Sequence, residues 1–341
     1  MTVCLVATGP VARAHIVGNT RTLRGLVAHA DLVLRAKIAK LTPLSRSSEG
    51  PGSRPGVEAE VLDVIKGSFE GTRIHFAQHG HGVAPFEPGE ETLLFLVAIE
   101  RSRELDALGR AGEYAWVSLQ EHADRYPLDG PGAAATIEAA RAYTDPTPES
   151  ARRATLRMLV SGDSRLAGSA VRDVVAFPDF ALLVREDVPV VEQALADERL
   201  SIGVRVALLV EVERRGWIEG GAQWDAWLGP QRPSRERIAV IRAAGGAGAV
   251  RLAPRLVALL EDPDPGVVAA AAIALGAPGN RSAVAPLSSI LDHDSRQVRM
   301  AAIRGLGQIG GPEALAALEA AADHGDESTR RRARAEVRKL R

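Results

Sequence analysis

The chain has 341 residues, 46% hydrophobic and 25% charged, with a formal net charge of −1 and one cysteine. That is about two domains' worth of chain with enough apolar content to fold, so disorder throughout is excluded. Near-neutrality excludes a strongly basic nucleic-acid binder. One cysteine excludes an internal disulfide framework, and no apolar run reaches the roughly 18 residues of a membrane-spanning helix.

Residues 2–11 read TVCLVATGPV, an apolar stretch followed by Ala12 and Ala14 in an A-x-A arrangement. A small-residue site of this kind follows the apolar core of a secretory signal, although the basic residues that open one are missing. Residues 1–19 therefore read either as a truncated export signal or as an ordinary buried strand or frayed terminus. The compartment stays open: periplasmic or exported on the first reading, cytoplasmic on the second.

Residues 20–130 are expected to form a small β module. RTLRGLVAHA (21–30) has helical apolar spacing and runs straight into DLVLRAKIAKLT, where Leu32, Leu34, Ala36 and Ile38 alternate onto one face. After a Ser/Gly/Pro loop at 43–56 come VEAEVLDVIKG, GTRIHFAQH and ETLLFLVAI, then, past a polar loop, EYAWVSL. Five short strands and a flanking helix predict a small, partly closed barrel. The order of these segments, with Phe86-Glu87-Pro88-Gly89-Glu90-Glu91 before the fourth strand and Val64-Ile65-Lys66-Gly67 closing the second, resembles OB- and netrin-like β modules of bacterial exported proteins. That resemblance implies binding at most. His75, His79 and His81 are the module's candidate metal ligands, because imidazoles suit transition metals. Gly80 and Gly82 leave their directions undefined, so solvated histidines at a strand end are the simpler reading.

Residues 131–146 read as a linker helix and hinge between Pro- and Gly-rich breaks. From 147 to 341 the chain is expected to be an α-solenoid of about six helix pairs, most regular over 250–341. Self-comparison at a step of 31 puts Leu260 on Leu291, Val267 on Val298, Ala271 on Ala302, Leu275 on Leu306 and Gly276 on Gly307. Each repeat reads as helix A, an acidic turn, helix B and a glycine. Asp262 or Asp264, and then Asp292 or Asp294, are expected to cap the B helices, and Gly276 and Gly307 to end them in a left-handed conformation. Trp217, Trp224 and Trp227 fall in an irregular stretch and read better as packing than as a binding surface.

Val298-Arg299, Ala301-Ala302 and Leu306-Gly307 resemble the HEAT family, in its short bacterial phycobilisome-lyase-like variant. The resemblance implies fold, not lyase activity, and it places the B helices on a concave surface. HEAT-type hydroxylases hold iron with His-Glu pairs on repeat helices; here His293 precedes Asp294 and His324 precedes Gly325. No nucleophile elbow, phosphate loop or metalloprotease motif is present either. The expectation is a non-enzymatic scaffold without a cofactor, binding an unidentified protein. Its candidate contact residues are Arg299 and Arg304 on one B helix and Arg330 and Arg334 on the basic last helix. Arg299 is the better candidate for a ladder to the turn aspartate of a neighbouring repeat, Asp262 or Asp264, and Arg304 for the groove. Two alternatives stay open: an envelope protein binding metal or a small ligand through the histidines, and a nucleic-acid-associated protein using the basic end. Against the latter, the chain lacks aromatic residues interleaved with the arginines.

Overall fold

The computed structural model describes residues 22–43, 55–78, 86–98, 115–119, 125–277, 279–324 and 326–341. The chain divides into two compact units, one ending at Leu200 and the other running Ser201–Arg341. The stretch 131–146, expected to link domains, lies inside the first unit. There Arg141 reaches back to Asp63 of the β module at 2.6 Å. No helix among the described residues is long and apolar enough to cross a membrane.

The first unit opens with α1 (Leu23–His29), capped by Thr22, whose hydroxyl accepts from the Gly25 N–H. Five strands follow: β1 (Leu32–Pro43), β2 (Pro55–Lys66), β3 (Arg73–Gln78), β4 (Glu91–Ala98) and β5 (Trp116–Ser118). They form a closed ring in the order β1-β2-β3-β5-β4, with β3 and β5 parallel and every other pair antiparallel. The alternation of β1 works as expected. Leu32, Leu34, Ala36 and Ile38 all point into the barrel, where they meet Phe76, Phe86, Leu94 and Leu96. β4 is apolar on both faces because its other face is covered too: Phe95 packs edge-on against Tyr126.

Among the described residues four further α-helices belong to this unit: α2 (Ala133–Ala142), α3 (Pro148–Leu159), α4 (Ser164–Ala176) and α5 (Val188–Ala196). α1 docks on α4, where the Leu23 N–H donates to Ser169 Oγ at 2.8 Å. One turn along α4, Asp173 is fully buried. Burial pushes its carboxyl up to about 6, against the smaller opposing pull of Thr22, Arg24 and Arg172. A carboxyl whose pKa is higher folded than unfolded favours the fold while protonated and loses that contribution as pH rises through the folded value. Asp173→Asn is therefore expected to melt a few degrees above the parent at pH 7.5 and no higher at pH 4. An equal gain at both pH values would rule out the buried charge as the cause.

The second unit contains α6 (Ile202–Arg214), α7 (Gly221–Leu228), α8 (Ser234–Arg251), α9 (Ala253–Ala258), α10 (Pro265–Leu275), α11 (Val284–Ser288), α12 (Arg296–Ile309), α13 (Gly311–His324) and α14 (Glu327–Leu340). The B helices α8, α10, α12 and α14 pack one against the next, continuing from α6, and the A helices α7, α9, α11 and α13 lie alongside. The step of 31 is visible in burial. Val267, Val298 and Thr329, then Ala271, Ala302 and Ala333, then Leu256, Leu287 and Leu318, are each almost fully buried. The N-caps keep the same step: Asp264, Ser295 and Asp326.

Two details of the turns differ from expectation. Asp264 caps α10, accepting from the Gly266 N–H at 2.7 Å. At α12, however, neither Asp292 nor Asp294 caps; the N-cap is Ser295, without a side-chain cap bond. His293 Nδ1 instead accepts from the Ser295 N–H at 2.9 Å, as Asp262 Oδ1 accepts from the Asp264 N–H one repeat earlier. Nor do Gly276 and Gly307 take up left-handed backbone. Gly276 has φ −69° and Gly307 lies inside α12, which runs on to Gly310 at φ 66°. Gly276 is small for another reason: a Cβ there would lie 2.5 Å from Gly305 Cα on the next B helix. Two of the three tryptophans pack in the interior, while Trp217 is half-buried with the Arg215 guanidinium 4.9 Å from its ring centre. Trp224 and Trp227 are 2% exposed and meet edge-on at 5.6 Å, with Trp224 Nε1 donating to Glu213.

Candidate functional site

The arginines of the B helices sort into two classes with different surroundings. The first is a ladder at positions 237, 268 and 299, again 31 apart. Arg237 on α8 is buried and forms a two-pronged ion pair with Asp262 in the following turn. The next rung is apolar, with Val268 fully buried and His293 standing where Asp262 stands one repeat earlier. On the third rung Arg299 Nε lies 2.9 Å from Asp326, donates to Thr329 at 3.1 Å, and Nη1 donates to the carbonyls of His293 and Asp294. Arg299 is thus a ladder residue, but its rung runs forward to the next repeat's cap, not back to Asp262 or Asp264. The reason is geometric: an arginine in the first turn of a B helix lies beside the N-cap of the helix stacked after it.

The second class is an exposed ridge. Arg304 is exposed, and one and two steps back its equivalents are Ile273, 41% exposed, and the exposed Arg242. Among the described residues neither Arg242 nor Arg304 makes an ion pair. Arg242 and Ile273 escaped the sequence reading, although the step of 31 taken backward from Arg304 lands on both. The last helix contributes less. Arg330, one step after Arg299, is half-buried; Arg334 is exposed, but the ridge position on α14 is Ala335. Arg332 and Lys339 are drawn to Glu336 at 2.8 and 3.0 Å.

The two classes predict different mutants. Arg299→Glu puts a carboxylate against Asp326, whose own carboxyl is held well below the usual range by hydrogen bonds from Thr329 and Ser328. It is expected to lower the melting temperature clearly. Arg304→Glu is expected to leave it unchanged, because exposed substitutions usually cost within about 0.5 kcal/mol. Thermal melts of the two single variants decide this, and identical shifts would defeat the division.

The β module offers less. His75 is exposed on β3, with Nε2 3.5 Å from Glu58; His79 and His81 lie outside the described residues. Among the described residues no three His, Cys, Asp or Glu side chains gather as a metal site. A cleft of about 710 Å³ opens where the Phe86–Glu91 motif meets the segment around Asp129, lined by Glu87, Glu90, Glu91, Arg125 and Arg165. Much of its charge is already matched, Glu91 by Arg35 at 2.6 Å and Glu90 by Arg125.

Residues 231–298 and 254–337 match the family model for HEAT repeats. No curated protein matches the chain. Among solved structures it is similar to human deoxyhypusine hydroxylase in complex with glycerol, at 21% identity, covering 62% of this chain and 85% of that one with a TM-score of 0.31. It is also similar to a designed armadillo repeat protein (19% identity, 58% of this chain, 96% of that one, TM-score 0.31). A second design, solved with a (KR)4 peptide, gives 19% identity, 58% and 95% coverage and a TM-score of 0.33. Residues 231–337, with their 31-residue step, stacked B helices and matched family model, are HEAT repeats.

Proposed function

We propose that this chain is a non-enzymatic interaction protein that holds a protein partner against the exposed ridge of its B helices. The observation that carries this reading is the sorting of charge. Helices α8, α10, α12 and α14 hold thirteen Lys and Arg against three Glu, whereas α7, α9, α11 and α13 hold one Arg against four acids. That one, Arg255, is bound to Asp225 at 2.7 Å. Of the fourteen Lys and Arg on these eight helices, thirteen lie on the B set. Apart from the ladder residues Arg237 and Arg299, folding does not require this, since surface charges add little stability wherever they are placed. Arginine is a typical anchor of protein interfaces. The HEAT resemblance adds that B helices line the concave side of such arrays.

A photo-crosslinking residue placed at position 304, and separately at position 313 on α13, tests this in living cells of the source organism. An adduct from position 304 is expected. Adducts from position 313 alone, or from neither, would reject the ridge as the binding surface.

A further inference from the structure

The ridge limits what its partner can be, and this inference rests on the interaction reading above. We infer that the bound segment is acidic and extended, with carboxylates on Arg242 and Arg304 and one apolar side chain on Ile273 between them.

Positions 242, 273 and 304 are one helical position repeated on three consecutively packed helices. Packed helices stand about 8–10 Å apart, so the two arginines are separated by two such steps, about 16–20 Å, with Ile273 midway. Among the described residues neither guanidinium has an ion-pair partner, and Ile273 is an exposed isoleucine on a helix that carries no charge at all. The ridge thus presents plus, apolar, plus at regular spacing. Its complement is acid, apolar, acid at the same spacing.

Backbone geometry then selects the conformation. A polyproline-II segment rises about 3.1 Å per residue with three residues per turn, so every third side chain returns to the same side after about 9.3 Å. That matches one helix step. A β-strand returns to the same face only every second residue, after about 6.6–6.8 Å, and drifts out of register. A helix would bring an apolar stripe about 100° wide, but the ridge offers it a single exposed apolar rung. Nucleic acid fits less well. Its phosphates recur about every 3.4 Å along a strand, and α8, α10, α12 and α14 contain no aromatic residue on which a base could stack.

The full chain is titrated at 150 mM salt against the fluorescein-labelled peptide Glu-Pro-Pro-Leu-Pro-Pro-Glu, with binding read by anisotropy. The control has the same composition reordered as Glu-Glu-Pro-Pro-Pro-Pro-Leu. The spaced peptide is expected to bind about tenfold more tightly than the control. The variant carrying Arg242→Glu and Arg304→Glu is expected to lose about tenfold with an unchanged melting curve, the size for two exposed pairs turned from attraction to repulsion. Ile273→Ser should also weaken binding without moving the melt. Equal binding of both peptides, or tighter binding of a 20-nucleotide single-stranded DNA at the same salt, overturns the inference. If neither peptide binds while the crosslink at position 304 persists, the acidic segment falls and the interaction surface stands. If the crosslink is absent as well, both fall.

Discussion

Arg237→Val is expected to destabilise the second unit by about 3–5 kcal/mol, the range for breaking a buried ion pair by removing one partner. Both side chains of the Arg237–Asp262 pair are less than 10% exposed, so the deletion strands a carboxylate in the interior. The protein itself shows how this cost is avoided, because one repeat later Val268 and His293 occupy the same two places. His293 keeps the turn hydrogen bond that Asp262 makes and leaves no anion without a partner, because an imidazole is neutral or cationic. Adding Asp262→His to Arg237→Val should therefore recover most of the loss. Urea unfolding at pH 7.5, followed by the fluorescence of Trp224 and Trp227, measures the single and double variants. If the double variant is no more stable than Arg237→Val alone, the stranded charge is not what costs stability.

Gly305→Ala should reverse the usual sign of a glycine replacement in a helix. Inside α12, alanine would ordinarily gain up to about 1 kcal/mol. Here the added Cβ would lie 2.8 Å from the Ala272 carbonyl oxygen and 3.0 Å from Leu287. The backbones of α10 and α12 would have to separate, and overpacking of this kind costs about 1–3 kcal/mol. Gly276→Ala, which meets the same contact from the other side, should behave alike. Gly203 in α6, with open space around it, is the internal control and should gain stability as alanine. Chemical denaturation of the three variants reads the sign directly. A stabilised Gly305→Ala would mean that the two helices do not touch there.

Much of this architecture was legible from residues alone, for a common physical reason. Where one face of an element is buried, the period of its apolar residues reports the element and the face together. So the alternation of Leu32, Leu34, Ala36 and Ile38 marked the barrel interior, and the step of 31 marked repeats whose shared core is Val298, Ala302 and Leu306. The same step contained the ridge, because equivalent positions on stacked helices must align, and only the backward count from Arg304 to Ile273 and Arg242 was missing.

Tertiary structure decided what depends on atoms from another part of the chain. Closing the barrel required β3 and β5 to pair in parallel, a contact between strands distant in sequence that no local pattern announces. Arg299 had acids before it and after it, and only the stacking direction chose Asp326. Gly276 and Gly307 read as helix stops because glycine commonly ends helices. In the folded chain Gly276 is small because Gly305 lies against it, and the stop after α12 falls to Gly310. Local periodicity is written along the chain, whereas partner choice and close approach are set across it, where only the packed helices determine which atoms meet.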